Sequence, residues 1–269
     1  MQGPPRAIEN AAKMAAMTTP TPAPHPAGQY RFLPGIDPFS AGVVAMPGHE
    51  IVHATLQAPV PWRDGFARIE AHLRAAGRPR AALCAIELRI PRPFSFDGFD
   101  EFNRPYRALL ESWGLLVDGV NPIARTNVAP VVGAPGEPSL FAFSYTAPTG
   151  DEGPPTFVVA GSGDVRGRAA ADIVRRGDTS PAALAEKAAF VMATQAERLT
   201  GLGSTWAEVT AVDIYTPHPI RGFLERGLLD VMGPAAIHGV HWYLSRPPIE
   251  GLEYEMDMRG VRREVRLGR

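Results

Sequence analysis

The chain has 269 residues, with 27 Lys and Arg against 28 Asp and Glu, a formal charge of −1. That balance excludes a protein built around a nucleic-acid backbone, which demands a basic surface. The 45% hydrophobic share excludes a disordered chain, and 27 glycines with 28 prolines exclude a helical bundle or coiled coil.

Residues 1–29 are rich in Ala, Pro and Thr and lack periodicity, so they read as a disordered tail, with Met14 and Met17 as alternative starts. Order is expected from Tyr30. Phe66, Ile69, Leu73 and Ala76 share one face of a helix over 62–76, stopped by Gly77 and Pro79. In ALCAIELRI, Cys84, Ile86, Leu88 and Ile90 alternate with other residues as in a half-buried strand. Phe99, Phe102, Tyr106, Leu109, Leu110 and Trp113 mark a second amphipathic helix. NPIARTNVAP and SLFAFSYT read as two further strands, and TFVVAGSG as a strand ending in a tight turn. Ser180 is a fitting N-cap with Pro181 at the first helical position. Leu184, Ala188, Val191, Met192, Gln195 and Leu199 follow the helical stripe, ended by Gly201 and Gly203. AEVTAVDIYT alternates as a strand, 219–232 forms a weaker helix interrupted by Gly222 and Gly227, and HGVHWYL and GLEYEMDM close as strands.

The order of elements repeats. Gly77, Ile86, Glu87 and Leu88 match Gly203, Val212, Asp213 and Ile214 without a gap. Pro122, Ala124 and Val128 match Pro234, Ala236 and Val240 at a smaller offset. This is an internal duplication of a β–α–β–α–β–β unit, divided as 30–150 and 151–269. Two helices cover one face of a sheet and leave the other in need of a partner, which predicts packing between the units and an oligomer.

Few motifs carry chemistry alone. A single cysteine, Cys84, excludes an internal disulfide, and its place among core residues makes it packed rather than nucleophilic. GSGDVRG is one residue off a dinucleotide fingerprint, and Asp213 lies too far beyond it, so the segment reads as a turn whose amides face a pocket. His238 and His241, three apart on a strand, point to opposite faces and cannot share a metal. His49 and His53 share a face without an evident third ligand, so no metal is expected. No apolar run reaches the roughly 18 residues that span a bilayer. No signal-peptide core is evident either, so a cytoplasmic protein without a membrane partner is expected. Arg125 is the informative residue. A guanidinium in the apolar strand around Ile123, Ala124 and Val128 needs a planar anionic partner, from the protein or from a ligand.

These residues resemble the Rid/YjgF imine deaminase family. That family pairs a helix carrying N-x-x-Y with P-A-R-[ST]-x-V and a strand V-E-I-E. Here the counterparts are Asn103 to Tyr106, then Ala124-Arg125-Thr126-Asn127-Val128, then Leu252-Glu253-Tyr254-Glu255. The resemblance covers about 200 residues as two units. It implies an α+β fold of two tandem Rid/YjgF-like (chorismate-mutase-like) units, each a mixed sheet with two helices on one face, assembling as a trimer. It places a carboxylate-gripping role on Arg125 and a water-positioning role on Glu253. Asn103, Thr126 and Gly161 fall near the pocket, and Tyr145 and His238 are candidate lining residues. The first copy has Phe143 and Tyr145 where acids are expected, and the second has Ile237 and His238 at the Arg125 and Thr126 positions. Arg125 and Glu253 thus lie in different copies, so the site is composite or one copy is structural. The tandem layout also resembles, more loosely, chorismatases.

The implied reaction is hydrolysis of a carboxylate-bearing imine or enamine, such as a 2-aminomuconate-type acid, to a keto acid and ammonia, with no cofactor. Arg125 would fix the carboxylate and Glu253 would assist water. A chorismatase-like hydrolase would instead need an acid, with His238, Glu253 and Glu255 as candidates. A non-catalytic carboxylate-binding scaffold is the third reading. An RNA-directed role is disfavoured by the charge.

Overall fold

In this computed structural model, which describes residues 21–268, the chain enters a sheet at Ala23, earlier than expected. The strand β1 (Ala23–His25) turns through Pro26–Gly28 and pairs antiparallel with β2 (Tyr30–Leu33). His25 is buried edge-on against Tyr30, which anchors the end of the expected tail. The rest of that tail, residues 1–20, lies outside the described residues. Next come β3 (Gly42–Ala45) and the long strand β4 (His49–Pro61). No element was expected at β4, because Pro59 and Pro61 break its pattern. The structure absorbs them in an irregularity between Thr55 and Val60, where register with its partner shifts.

The first repeat follows: helix α1 (Trp62–Ala75), β5 (Leu83–Arg89), helix α2 (Phe96–Ser112), β6 (Ala124–Pro130) and β7 (Ser139–Pro148). The second runs β8 (Phe157–Gly163), helix α3 (Pro181–Gly201) and β9 (Ala211–Tyr215). Ser180 caps α3 by accepting from the Ala183 amide, as its position implies. The weak helix over 219–232 proves to be a π-helical turn (Leu224–Leu229), a three-residue α4 (Asp230–Met232) and a 3-10 segment (Gly233–His238). The strands β10 (His241–Tyr243), β11 (Ser245–Arg246), β12 (Glu255–Gly260) and β13 (Arg263–Leu267) finish the chain.

The fold is mixed α+β with two mixed sheets. One has the order β11-β6-β5-β7-β4-β13, the other β1-β2-β3-β8-β12-β9-β10. Within them β6-β5-β7-β4 and β10-β9-β12-β8 repeat the same order, with β6 parallel to β5 and β10 parallel to β9. Gly77 and Gly203, matched in sequence, both follow a helix with φ near +66° and +79°, a region only glycine enters freely. The ends cross the expected boundary at 150/151. The strands β1 to β3 extend the second sheet, while β11 and β13 join the first.

Three apolar clusters hold the layers. One packs Trp62, Phe66, Leu73 and Tyr106 of α1 and α2 against Ile86, Leu88 and Phe143. Another packs Leu184, Val191 and Leu199 of α3 with Phe223 against Val212, Met256 and Met258. The third, with Tyr30, Phe32, Ile51, Cys84 and Ala160, lies where the sheets meet. Cys84 is wholly buried there, and burial pushes its thiol up, so it stays packed and protonated. No described helix is long and apolar enough to cross a membrane.

Candidate active site at the seam of the two sheets

Alternation on β12 sends Tyr254, Met256 and Met258 toward α3 and Glu255, Asp257 and Arg259 toward the other sheet. At the end of this strand opens a cavity of about 680 Å³. Its walls include Phe39 from the loop before β3, Phe99 of α2, Gly161 of β8, Arg198 of α3 and Glu255. Both halves of the chain therefore build it.

Glu255 is the buried carboxyl of this wall, 4% exposed. Gly161 and Gly163 make room for it. A Cβ on Gly161 would collide with Glu255 Oε1, and one on Gly163 would lie 3.8 Å from Oε2. This close approach is a physical use of the glycine at 161. Burial holds Glu255 well above the usual carboxylate range, and the neighbouring Asp257 adds to this. Arg198 and Arg125 favour its charged form without reversing the outcome. Glu255 is accordingly a neutral acid with two cations near enough to receive its charge.

Arg198 donates from Nη1 to the carbonyls of Ala160 (2.9 Å) and Gly161 (3.2 Å), and burial lowers its pKa to about 10. One turn earlier, the buried Gln195 shares its amide hydrogens among the carbonyls of Ala160 and Met256 and the hydroxyl of Ser162, tying β8 to β12. Asp164 and Lys187, both fully buried, form an ion pair of 2.7 Å. Asp164 Oδ1 also accepts from the amides of Glu253 (3.0 Å) and Tyr254 (3.2 Å), and so fixes the approach to Glu255.

The expected residues fall into two groups. Arg125 Nη2 donates to Asn103 Oδ1 at 2.7 Å, and the amide of Gly161 donates to Thr126 Oγ1 at 3.1 Å. Among the described residues, Arg125 faces no carboxylate in hydrogen-bond contact. Among the same residues its Nη1 and Asn103 Nδ2 find no hydrogen-bond partner at full geometry, with the Tyr106 hydroxyl standing beside the guanidinium. Burial lowers the Arg125 pKa to about 10. Tyr106, Phe39 and Phe99 surround the guanidinium at 4.6, 5.1 and 5.6 Å from its carbon to the ring centres. Since Phe39 and Phe99 also line the cavity, Arg125 sits behind its wall.

Glu253, Tyr145 and His238 are not brought to this place. Glu253 precedes β12, so its side chain is not aligned with Glu255; it pairs instead with His218 (2.7 Å) and Arg246 (3.4 Å). Tyr145 packs on His72 beside Phe143, under α1. His238 is exposed at the end of the 3-10 segment rather than on a strand. The second-copy alignment also shifts. Arg125 pairs with Ile86 and Thr126 with Glu87, while Asp213 pairs with His241. The counterparts of Arg125 and Thr126 are thus Val240 and His241, not Ile237 and His238. Arg198 was not singled out in the sequence. Its signal was a polar Gln195 within the apolar stripe of α3, one turn before it.

Behind Glu255 lies a charged cluster between the sheets. Carboxylate oxygens of Glu87, Asp213 and Asp257 come within 4.8 Å of one another. Arg259 binds Asp213 and Glu264, each at 2.7 Å, and Arg89 reaches Glu87 at 3.3 Å. Tyr215 donates to Asp257 at 3.0 Å, and His241 Nδ1 lies 2.7 Å from Asp213. His53, 3.6 Å from Glu87, is held neutral by burial, its pKa lowered to about 3. The two guanidiniums supply the positive charge here that a cation would bring elsewhere.

The sequence pattern of the family described as 2-aminomuconate deaminase CnbZ matches residues 22–265. The chain belongs to this family. A curated relative, the 2-amino-5-chloromuconate deaminase of Comamonas testosteroni, is 46% identical over 244 residues, covering 89% of this chain and 96% of the relative. Among solved structures, a chorismatase is 14% identical with a TM-score of 0.42, covering 82% of this chain and 77% of that one. A cyanuric acid hydrolase from A. caulinodans is 12% identical with a TM-score of 0.36, covering 80% and 67%. For this CnbZ-family chain, the sequence relatives carry the functional argument, and the structural likenesses are distant.

Proposed function

We propose that the chain is a deaminase that hydrolyses a 2-aminomuconate-like acid to a keto acid and ammonia. The observation that carries the reading is Glu255, a carboxyl kept neutral by burial at the wall of a cavity with arginines beside it. The family and the named activity of the 46% identical relative support it. An enamine must first be protonated on carbon to become an iminium, and a neutral carboxyl is the group that does this near neutral pH. Glu255 gives its proton to the far carbon of the enamine. Arg198 then stabilises the carboxylate left behind. Water adds to the iminium carbon and returns a proton to Glu255. Glu255 passes that proton to the carbinolamine nitrogen, the carbon–nitrogen bond breaks, and the hydroxyl proton leaves with the ammonia as ammonium while the ketone forms, so Glu255 ends the cycle as a carboxylate.

The carboxylate beside the reacting carbon is assigned to Arg125 Nη1 and Asn103 Nδ2, the buried donors without partners. A second carboxylate meets Arg166 at the mouth, where its guanidinium lies 5.0 Å over Phe190. Thr126 and Gly161 hold the two halves together at this point. We read the halves as tandem Rid/YjgF-like units that have exchanged their ends, and the assembly as a trimer, which light scattering would weigh directly.

The test is ammonia release from 2-aminomuconate and 2-amino-5-chloromuconate generated in situ, with wild type and Arg125→Met side by side. Wild type should release ammonia from at least one, with KM raised about tenfold or more in the variant. No ammonia from either acid with folded wild-type protein would overturn the reading.

A further inference from the structure

Deamination at neutral pH ends in ammonium, so each turnover takes one proton from solvent. The acid that delivers it, Glu255, is buried, and bound substrate covers its cavity face. We propose that protons reach Glu255 from behind, along a relay that starts at the surface imidazole of His241 and runs through Asp213, Asp257 and Thr126. This rests on the reading of Glu255 as the acid.

The geometry supplies each station. The His241 side chain is 57% exposed, and its Nδ1 lies 2.7 Å from Asp213 Oδ1. Oxygens of Asp213, Asp257 and Glu87 lie within 4.8 Å of one another. A void of about 10 Å³ touches Glu87, Asp257, Thr126 and Ser144, room for about one water with polar partners on several sides. Asp257 and Glu255 project from the same face of β12. Thr126 Oγ1 and Glu255 Oε1 both border the space that a Cβ on Gly161 would enter, so the hydroxyl stands beside the acid.

The charges suit the task. Asp213, held as an anion by His241 and Arg259, accepts from the imidazole. Burial raises the pKa of Glu87 and Asp257, which favours their protonated forms. Arg89, Arg259, Glu264, Tyr215 and neutral His53 complete the surroundings. The bookkeeping is one proton per cycle. His241 takes it from water and gives it to Asp213. Asp257 passes its own to Thr126 and is refilled, and the threonine hydroxyl gives one to Glu255 as it receives one.

The experiment is steady-state ammonia release in weak buffer by wild type, His241→Ala, Thr126→Val and Glu255→Gln. A starved relay lowers kcat about tenfold in His241→Ala while kcat/KM stays within about twofold. Added imidazole, a small base that fits the vacated surface site, restores most of the rate. Thr126→Val shows the same loss without rescue, because its gap is internal. Full kcat in His241→Ala, with Glu255→Gln inactive, overturns the relay and leaves the deaminase reading standing. A reduced kcat that imidazole does not lift also overturns it, since that marks a structural role for His241. An active Glu255→Gln removes the acid itself, and the relay with it.

Discussion

The two halves share a strand order but have divided the chemistry. In the first, β7 places Ser139 opposite Arg89 and Ala142 opposite Glu87. In the second, the matching registers of β12 hold Glu255 opposite Tyr215 and Asp257 opposite Asp213. At these two positions only the second copy carries acids. At the strand beside β5, the first copy carries Arg125, which faces Ile86, where the second copy has Val240 beside β9. On the proposed function, neither half holds a complete site. On that reading, one half supplies Arg125 and the other Glu255, and the seam between them is held by the hydrogen bond of Thr126 and Gly161. The exchanged ends, with β1 to β3 on the second sheet and β13 on the first, tie that seam together.

That division can be broken one side at a time. The largest effect belongs to the acid. Glu255→Gln should lower kcat by about 10²–10⁴, the usual weight of a general acid, while KM changes little, measured as ammonia released per enzyme. Next is the strut behind it. Lys187→Met leaves Asp164 a buried charge without its partner and should cost about 3–5 kcal/mol in denaturant unfolding. Asp164→Asn with Lys187→Met in one chain should recover part of that loss. On the other side of the seam, Arg125→Lys keeps the charge but loses the planar fork, and should raise KM about tenfold with kcat less affected. The smallest effect is expected at Glu253. Because it pairs with His218 outside the cavity, Glu253→Gln should stay within about twofold of wild type in kcat.

Much of this was legible in the sequence. The stripes of α1, α2 and α3 and the alternation of β5 follow from burying one face each, so periodicity found them. Arg125 and Asn103, and Thr126 and Gly161, were expected in one pocket and do meet as pairs. The proposed acid stands two residues beyond the expected Glu253, for a physical reason. On an unbroken strand Glu253 and Glu255 would share a face, but Asp164 captures the amides of Glu253 and Tyr254, and sheet pairing begins only at Glu255. Nothing in the local pattern announces that capture, because Asp164 is distant in sequence and its role needs Lys187 from α3. The strand β4 was hidden by its prolines. The strand β13, for which the sequence reading named no element, carries Arg263, Glu264 and Arg266 and lies at the edge of its sheet, where charged side chains are tolerated. Tyr145 was expected near the pocket as one aromatic among several, and it fills the core under α1 instead.

Two pH dependences follow from the sign of the shift at Glu255. Its folded pKa is raised above the unfolded value, so the folded state holds the proton more tightly. The stability it contributes is complete below the ordinary carboxylate range and is lost as pH rises through the raised pKa. Asp257, also raised by burial, adds in the same direction. Denaturant unfolding of wild type and Glu255→Gln across pH should show a weaker alkaline loss in the variant.

The most direct test of the central claim is the pH dependence of kcat for ammonia release from 2-aminomuconate. If neutral Glu255 is the acid, kcat is level through the ordinary carboxylate range and falls as pH rises and Glu255 loses its proton. That alkaline limb disappears from the residual rate of Glu255→Gln. A wild-type kcat that instead climbs through the ordinary carboxylate range would make an ionised carboxylate the working form and would contradict the account.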